Sequence, residues 1–216
     1  MATASVIYAD RHEAGRDLAE RLARVVDGRP VVVALSHGGV EVAAEVAHTL
    51  DAPLDMLVVR KIRYPGAPRR VLGAVAPGYA VYVHTRADLT SRELAESAER
   101  ARAELAHVDG IIHARQRQLD VTGREIVLVD DGVTTGARMI TATRWARTQR
   151  ARRIVAAVPL ASTEAAEQVR EEADILVCPH VLDTLGAVSI RYASFEPVDD
   201  EAVIALLERA AHPLAV

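Results

Sequence analysis

Short apolar runs at residues 31–35, 54–59, 126–129, 154–158 and 175–177 recur along this chain without the polar alternation of a half-exposed strand. Strands buried on both faces read this way, so the runs predict a central sheet covered on two sides. Between them, apolar residues at three- and four-residue spacing predict helices over about 10–26, from a turn at 36–39 to about 50, and over about 90–119, 137–149, 163–173 and 199–210. Glu13 is placed to complete a capping box on the first helix, which Gly28-Arg29-Pro30 stops. Thr90 and Glu93 repeat the box on the longest helix, which Gly110 is expected to interrupt. Pro77-Gly78 between 71–76 and 79–84 predicts a hairpin, whereas Tyr64-Pro65-Gly66 and Pro68 predict a loop over 62–68. Residues 178–197 carry no period and are expected to be irregular. Strands alternating with helices specify an α/β fold: a central, mostly parallel sheet with helices on both faces. Ligands of such sheets bind beyond the carboxyl ends of the strands.

Length and composition narrow this reading. The 216 residues fit one α/β domain spanning 1–216. Half the residues are hydrophobic but only 3% are aromatic, so the core should rest on Ala, Val, Leu and Ile. A net charge of −4 gives no global attraction for nucleic acid. The one cysteine, Cys178, excludes an intramolecular disulfide and fits a reducing compartment. No run is long enough to span a bilayer, and the N-terminus lacks the charged start and apolar run of a signal peptide. A cytoplasmic location with no membrane and no nucleic-acid partner is expected, and a homo-oligomer is compatible.

The chemistry concentrates in Ile126-Val127-Leu128-Val129-Asp130-Asp131-Gly132-Val133-Thr134-Thr135-Gly136-Ala137-Arg138. A buried strand delivers two adjacent carboxylates, and a loop of Gly, Thr and small residues then enters a helix. Free N–H groups and short hydroxyls at a helix N-terminus can wrap a phosphate. The carboxylates cannot hold a phosphate, but they can accept hydrogen bonds from vicinal sugar hydroxyls or help hold a cation. A ribose 5-phosphate has both parts. The plain alternative is a strand–turn–helix with a solvated acidic pair. A second strand-to-helix turn, Ser36-His37-Gly38-Gly39, has glycines that would let backbone N–H groups approach an anion, as a Rossmann turn also does. It lacks a full Gly-x-Gly-x-x-Gly.

Lys61 is the single lysine among 26 basic residues, and it follows Arg60 at the end of a strand. A compact ammonium suits a pyrophosphate oxygen, and Arg60 could add a bidentate contact. A surface lysine retained by chance is the plain alternative. Arg63, Arg69 and Arg70 make the following segment basic within an acidic protein.

The 126–138 stretch resembles the phosphoribosyl-pyrophosphate (PRPP) signature of type I phosphoribosyltransferases: four apolar residues, two acids, two variable residues, then Thr-Thr-Gly. Val58-Val59-Arg60-Lys61, Gly73-Ala74-Val75, Val129-Asp130-Asp131-Gly132 and Phe195-Glu196-Pro197-Val198-Asp199-Asp200-Glu201 extend the resemblance to a little-characterised branch of that family over nearly the whole chain. It implies PRPP binding with Mg2+ and transfer of the phosphoribosyl group to a small-molecule acceptor. It implies that Asp130 and Asp131 bind the ribose hydroxyls and can help hold the metal. Val133, Thr134, Thr135, Gly136, Ala137 and Arg138 would bind the 5-phosphate. Ser36, His37, Gly38 and Gly39 would form the pyrophosphate loop, often with a strained or cis peptide, here between Ser36 and His37. A mobile loop over about 62–70 would close over the reaction centre, with Arg60 and Lys61 at its root, and a C-terminal hood over about 178–198 would receive the acceptor.

This chain departs from the family's pattern at several positions. His37 replaces an arginine with a group that titrates near neutrality. Arg138 stands where a second phosphate-binding threonine is usual, either to grip the phosphate or to point outward. Arg69-Arg70 replaces an acidic position. Thr134 lacks the basicity of the aspartate used by 6-oxopurine enzymes, which argues against that acceptor class. In the hood, Tyr192 could stack on an acceptor ring or be a buried tyrosine with a satisfied hydroxyl, and Asp183 could be a base or a loop cap. A PRPP-binding regulator without transfer and a phosphosugar or nucleotide hydrolase are the alternatives in other functional classes.

Overall fold

The computed structural model describes residues 5–82, 89–114 and 118–211. Five strands, β1 (Val31–Ala34), β2 (Leu54–Met56), β6 (Glu125–Val129), β7 (Arg153–Ala157) and β9 (Ile175–Val177), form an all-parallel sheet in the order β2-β1-β6-β7-β9. Their apolar runs pack on both faces. Val32, Ala34, Val127, Val129, Val155 and Ala157 point into one core, shared with α1 (Arg11–Leu22), α2 (His37–Thr49), α3 (Ser91–Ile112) and α6 (Asp200–Ala211). Val31, Val33, Ile126, Leu128, Ile154 and Ala156 point into the other, closed by α4 (Ala137–Thr148) and α5 (Thr163–Glu172). The sheet covered on two sides that the sequence predicts is therefore present.

The strand order places the candidate chemistry. β1 pairs with β6, Ala34 opposite Val129, and the chain runs outward from this pair in both directions, to β2 and to β7. Such a reversal opens a crevice at the carboxyl ends of the two central strands. The turns at 36–39 and 130–136 leave those two ends side by side.

Several boundaries differ from the sequence expectation. The predicted loop over 62–68 is part of an antiparallel sheet in which β3 (Arg60–Tyr64) pairs with β4 (Ala67–Ala76), and β4 with β5 (Tyr79–Tyr82). The register jumps between Ile62 and Tyr64, so Pro68, Arg69 and Arg70 lie opposite a bulge. There a proline costs no ladder hydrogen bond. Gly66, at φ 71°, supplies the left-handed turn. Residues 83 and 84, expected in the hairpin, lie outside the described residues. The longest helix carries the predicted Thr90–Glu93 capping box, and Gly110 sits in its last turn without interrupting it. The expected irregular stretch over 178–197 holds β10 (His180–Leu182), paired in parallel with β8 (Leu160–Ser162), and a 3-10 turn at Val188–Arg191. β10 reads His-Val-Leu, which forms neither an apolar run nor an alternation that the sequence could reveal. Among the described residues no helix is long and apolar enough to cross a membrane.

Leu128 lies fully buried beneath the acidic pair. Leu128→Ala is expected to lower stability by about 2–5 kcal/mol, read as a shift in the urea unfolding midpoint with an unchanged slope.

Candidate functional site

Asp130 and Asp131 leave β6 and stand against the first turn of α2. The reason is steric as well as electrostatic. A Cβ on Gly38 would lie 2.3 Å from Asp131 Oδ2, and one on Gly39 would lie 3.1 Å from Asp130 Oδ1. The two glycines therefore admit the protein's own carboxylates to a helix N-terminus, where the dipole favours negative charge. Ser36, the N-cap of α2, accepts from Gly39 N at 3.0 Å and donates its hydroxyl to Asp130 Oδ1. The 36–39 segment is thus tied to the acids. The peptide between Ser36 and His37 is trans, and His37 Nε2 lies 2.6 Å from Asp200 Oδ1 of α6. The histidine ring is held at the edge of the crevice by a partner that the sequence reading did not foresee.

Asp130 is almost fully buried, with the Asp131 amide and Ser36 on Oδ1 and the Arg138 guanidinium on Oδ2 at 2.6 Å. Arg138 therefore points inward, which settles its direction. Its Nε is buried without a hydrogen-bond partner among the described residues. Burial works against the Arg138 charge, but the Asp130 carboxylate outweighs it and keeps the guanidinium firmly protonated. The loop of Gly132, Val133, Thr134, Thr135 and Gly136 wraps the first turn of α4, with Gly136 as a left-handed N-cap that offers no side-chain acceptor. Val133 N donates to Leu160 O, and Thr134 O accepts from Ser162 Oγ, so β8 braces this loop. Lys61 faces the same loop across a cavity of only about 10 Å³. Burial pulls Lys61 below the ordinary ammonium value, and Arg138 pulls it further. Arg60 is lowered for the same two reasons. Among the described residues neither forms an ion pair, so three cations gather here against one bonded carboxylate.

Asp131 is held by a residue that sequence reasoning missed. Arg11, at the first position of α1, is 5% exposed and donates Nε to Asp131 Oδ2 at 3.1 Å. Its Nη1 reaches Glu41 Oε2 and Glu196 O, and its guanidinium lies 3.7 Å from the centroid of the Phe195 ring. A signal was available. The buried stripe of α1 runs Arg11, Ala14, Gly15, Leu18, Ala19, Leu22, so a guanidinium occupies a core position. The Phe195–Asp200 tail gains a physical reason too, since Phe195 and Glu196 seat Arg11 and Asp200 holds His37.

The two hood candidates fall elsewhere. Tyr192 is 4% exposed, donates its hydroxyl to Asp131 O at 2.7 Å, and packs between Tyr8 and Phe195. That is the buried tyrosine with a satisfied hydroxyl, with no open ring face for an acceptor to stack on. Asp183 accepts from Thr163 Oγ1 at 2.7 Å, the geometry of a loop cap at the start of α5. Among the described residues no cluster of three His, Cys, Asp or Glu side chains could hold a metal by itself.

Burial, and then the neighbouring Asp130 charge, push the Asp131 carboxyl up to about 6 from an ordinary 3.8, against the pull of Arg11 and Arg138. In that window the folded chain binds a proton that the unfolded chain has released, so stability falls as pH rises from about 4 through 6. Asp131→Asn is expected to flatten this part of the profile in urea midpoints measured from pH 4 to 7. A slope identical to wild type would contradict the assignment.

This geometry can be set beside known proteins. The family model for the phosphoribosyl transferase domain matches residues 7–190. Two Mycobacterium tuberculosis proteins, from strains CDC 1551 / Oshkosh and ATCC 25618 / H37Rv, carry phosphoribosyl transferase as a provisional name. Each is 36% identical to this chain over 208 residues, covering 94% of it and 47% of the relative. The chain thus spans about half the length of these curated relatives. The crystal structure of a Thermus thermophilus protein, TT1426, is 39% identical with a TM-score of 0.80, covering 94% of this chain and 98% of its own. A purine phosphoribosyltransferase from Pyrococcus horikoshii Ot3, at 16% identity and a TM-score of 0.50 over 84% of this chain and 89% of its own, shares the fold. The match over residues 7–190 and the 36% identical relatives place this chain in the phosphoribosyl transferase domain family.

Proposed function

We propose that this chain transfers the 5-phosphoribosyl group of PRPP to a nitrogenous base or other small acceptor and releases pyrophosphate. The observation that carries this reading is a group of three cations, Arg60, Lys61 and Arg138, of which only Arg138 is paired with a carboxylate, near the N-terminus of α4 and beside Asp130 and Asp131. Cations and helix N–H groups favour a phosphate, and the carboxylates favour the vicinal hydroxyls of the attached ribose. The N–H groups of residues 133–138 would take the 5-phosphate. Arg138 would turn from Asp130 to that phosphate, giving its orphaned Nε an acceptor and freeing Asp130 for a ribose hydroxyl. Ser36, His37, Gly38 and Gly39 would meet the pyrophosphate only through backbone N–H groups, because their side chains are absent or engaged.

In the reaction the bond between ribose C1 and the pyrophosphate oxygen breaks with its electron pair on the pyrophosphate. A nitrogen lone pair of the acceptor forms the new bond. Positive charge develops on the ribose ring, near Asp130 and Asp131, and negative charge on the leaving group, near Lys61 and Arg60. Catalysis would be mostly positioning and electrostatic stabilisation. Lys61 and Arg60 gain here, because burial and Arg138 disfavour their charge and the departing anion would satisfy it. With two carboxylates rather than a protein cage, the site fits Mg2+ that arrives on the diphosphate, since this ion commonly uses one or two carboxylates plus substrate phosphates. Bound there, it would neutralise the diphosphate charge, and Asp130 and Asp131 would help hold it.

A second reading, a PRPP-binding regulator without transfer, would use the same cations and carboxylates for binding alone. Assay of pyrophosphate release from PRPP and magnesium over a panel of nitrogenous acceptors separates the two. Transfer is expected with at least one acceptor, and Lys61→Ala is expected to slow it by about 10²-fold. Binding without release by any acceptor would support the regulator, and unchanged turnover in Lys61→Ala would remove the proposed catalytic role.

A further inference from the structure

The two acids are not equivalent as acceptors. Asp130 has both side-chain oxygens taken, Oδ1 by Ser36 and the Asp131 amide, Oδ2 by Arg138. Asp131 gives only Oδ2 to the protein, to Arg11, and its Oδ1 meets no donor among the described residues. A ribose hydroxyl therefore finds an acceptor at Asp131 directly, but reaches Asp130 only after Arg138 has turned away. The direction in which Asp131 presents Oδ1 is set by whatever holds Oδ2.

Arg11 is held too tightly to do anything else. Its Nε donates to Asp131, and its Nη1 serves two acceptors, Glu41 Oε2 at 3.1 Å and Glu196 O at 2.9 Å. These three acceptors come from three separate segments, so the planar fork cannot swing without losing at least one of them. The Phe195 ring covers one face of the guanidinium. Gly38 leaves room for the rest, since a Cβ there would lie 2.6 Å from Nε and 2.8 Å from Nη2. With its side chain only 6% exposed, Arg11 is not itself a ligand contact. The Asp131 main chain is fixed independently: its carbonyl accepts from the Tyr192 hydroxyl, and Val188 fills the space beside Gly132, where a Cβ would lie 2.8 Å from Cγ1. The geometry points to Arg11 as a positioning residue of the ribose subsite, which holds Asp131 by Oδ2 and so aims Oδ1 at a ribose hydroxyl. An acceptor fixed in advance costs less to order when the ligand binds. This inference rests on the PRPP reading, and it adds to the site a residue that no ligand atom would touch.

The test titrates two probes separately by calorimetry: ribose 5-phosphate, and methyl phosphate, which carries the phosphate without the diol. Arg11→Gln is expected to weaken ribose 5-phosphate at least tenfold and to leave methyl phosphate within about twofold. Phe195→Leu loosens the seat of Arg11 without removing a charge, and is expected to weaken ribose 5-phosphate about threefold, again sparing methyl phosphate. It decides the matter alone should Arg11→Gln fail to fold. Arg16→Gln removes the same charge from an exposed position of α1, and is expected to change neither probe by more than about twofold. Unchanged ribose 5-phosphate affinity in the Arg11 and Phe195 variants, equal losses of both probes, or an equal loss in Arg16→Gln would overturn the positioning role. Failure of the PRPP reading itself would look different: wild type would bind ribose 5-phosphate no more tightly than methyl phosphate, or as tightly as the Asp130→Asn/Asp131→Asn protein does.

Discussion

Two adjacent carboxylates at a helix N-terminus, Asp130 buried and Asp131 partly buried, set the terms for the rest of this structure. Adjacent negative charges out of water are costly, and the cost appears directly in the raised pKa of Asp131. Every nearby feature offsets it. Glycines at 38 and 39 let the α2 N-terminus come close, Ser36 and the Asp131 amide satisfy one oxygen of Asp130, and Arg138 and Arg11 bring charge from opposite sides. Arg11 must itself be seated, and Phe195, Glu196 and Glu41 do so. Through that chain of contacts the N-terminal helix and the C-terminal tail are committed to one pair of acids.

The charges of this site are satisfied internally, but incompletely. Asp130 is paired with a cation whose own Nε has no partner among the described residues, and Lys61 keeps a charge that burial disfavours. A ligand bearing a phosphate and a vicinal diol would relieve both, each functional group exchanging a protein partner for a better one. Ligand affinity would then report a difference between two sets of hydrogen bonds rather than the sum of the new ones.

Much of the fold was legible because strands buried on both faces leave unbroken apolar runs, and helices between them leave a 3.6-residue period. The acidic pair and the loop after it were legible for the same reason: β6 delivers them at a place that the α/β order fixes. The hairpin at 60–76 was not, since Pro65, Gly66 and Pro68 signal a loop and a register bulge that hides the proline has no local signature. Arg11 was hidden by distance, 120 residues from the carboxylate it holds, although its place on a buried helical stripe was a clue. Ser36 and the glycines were legible as an anion turn, but the anion they receive in the free protein is Asp130 and Asp131. Tyr192 and Asp183 were poor guides, because a tyrosine or an aspartate in an aperiodic stretch reads the same whether it faces a ligand or closes a structural hydrogen bond.

The central claim is that Asp130 and Asp131 receive the ribose of a phosphoribosyl ligand. Calorimetric titration of PRPP with magnesium into wild type and into a folded Asp130→Asn/Asp131→Asn protein tests it most directly. The account predicts magnesium-dependent binding that the double substitution abolishes. Equal affinity in the two proteins would mean that the acids serve only the architecture, and that the ligand site lies elsewhere.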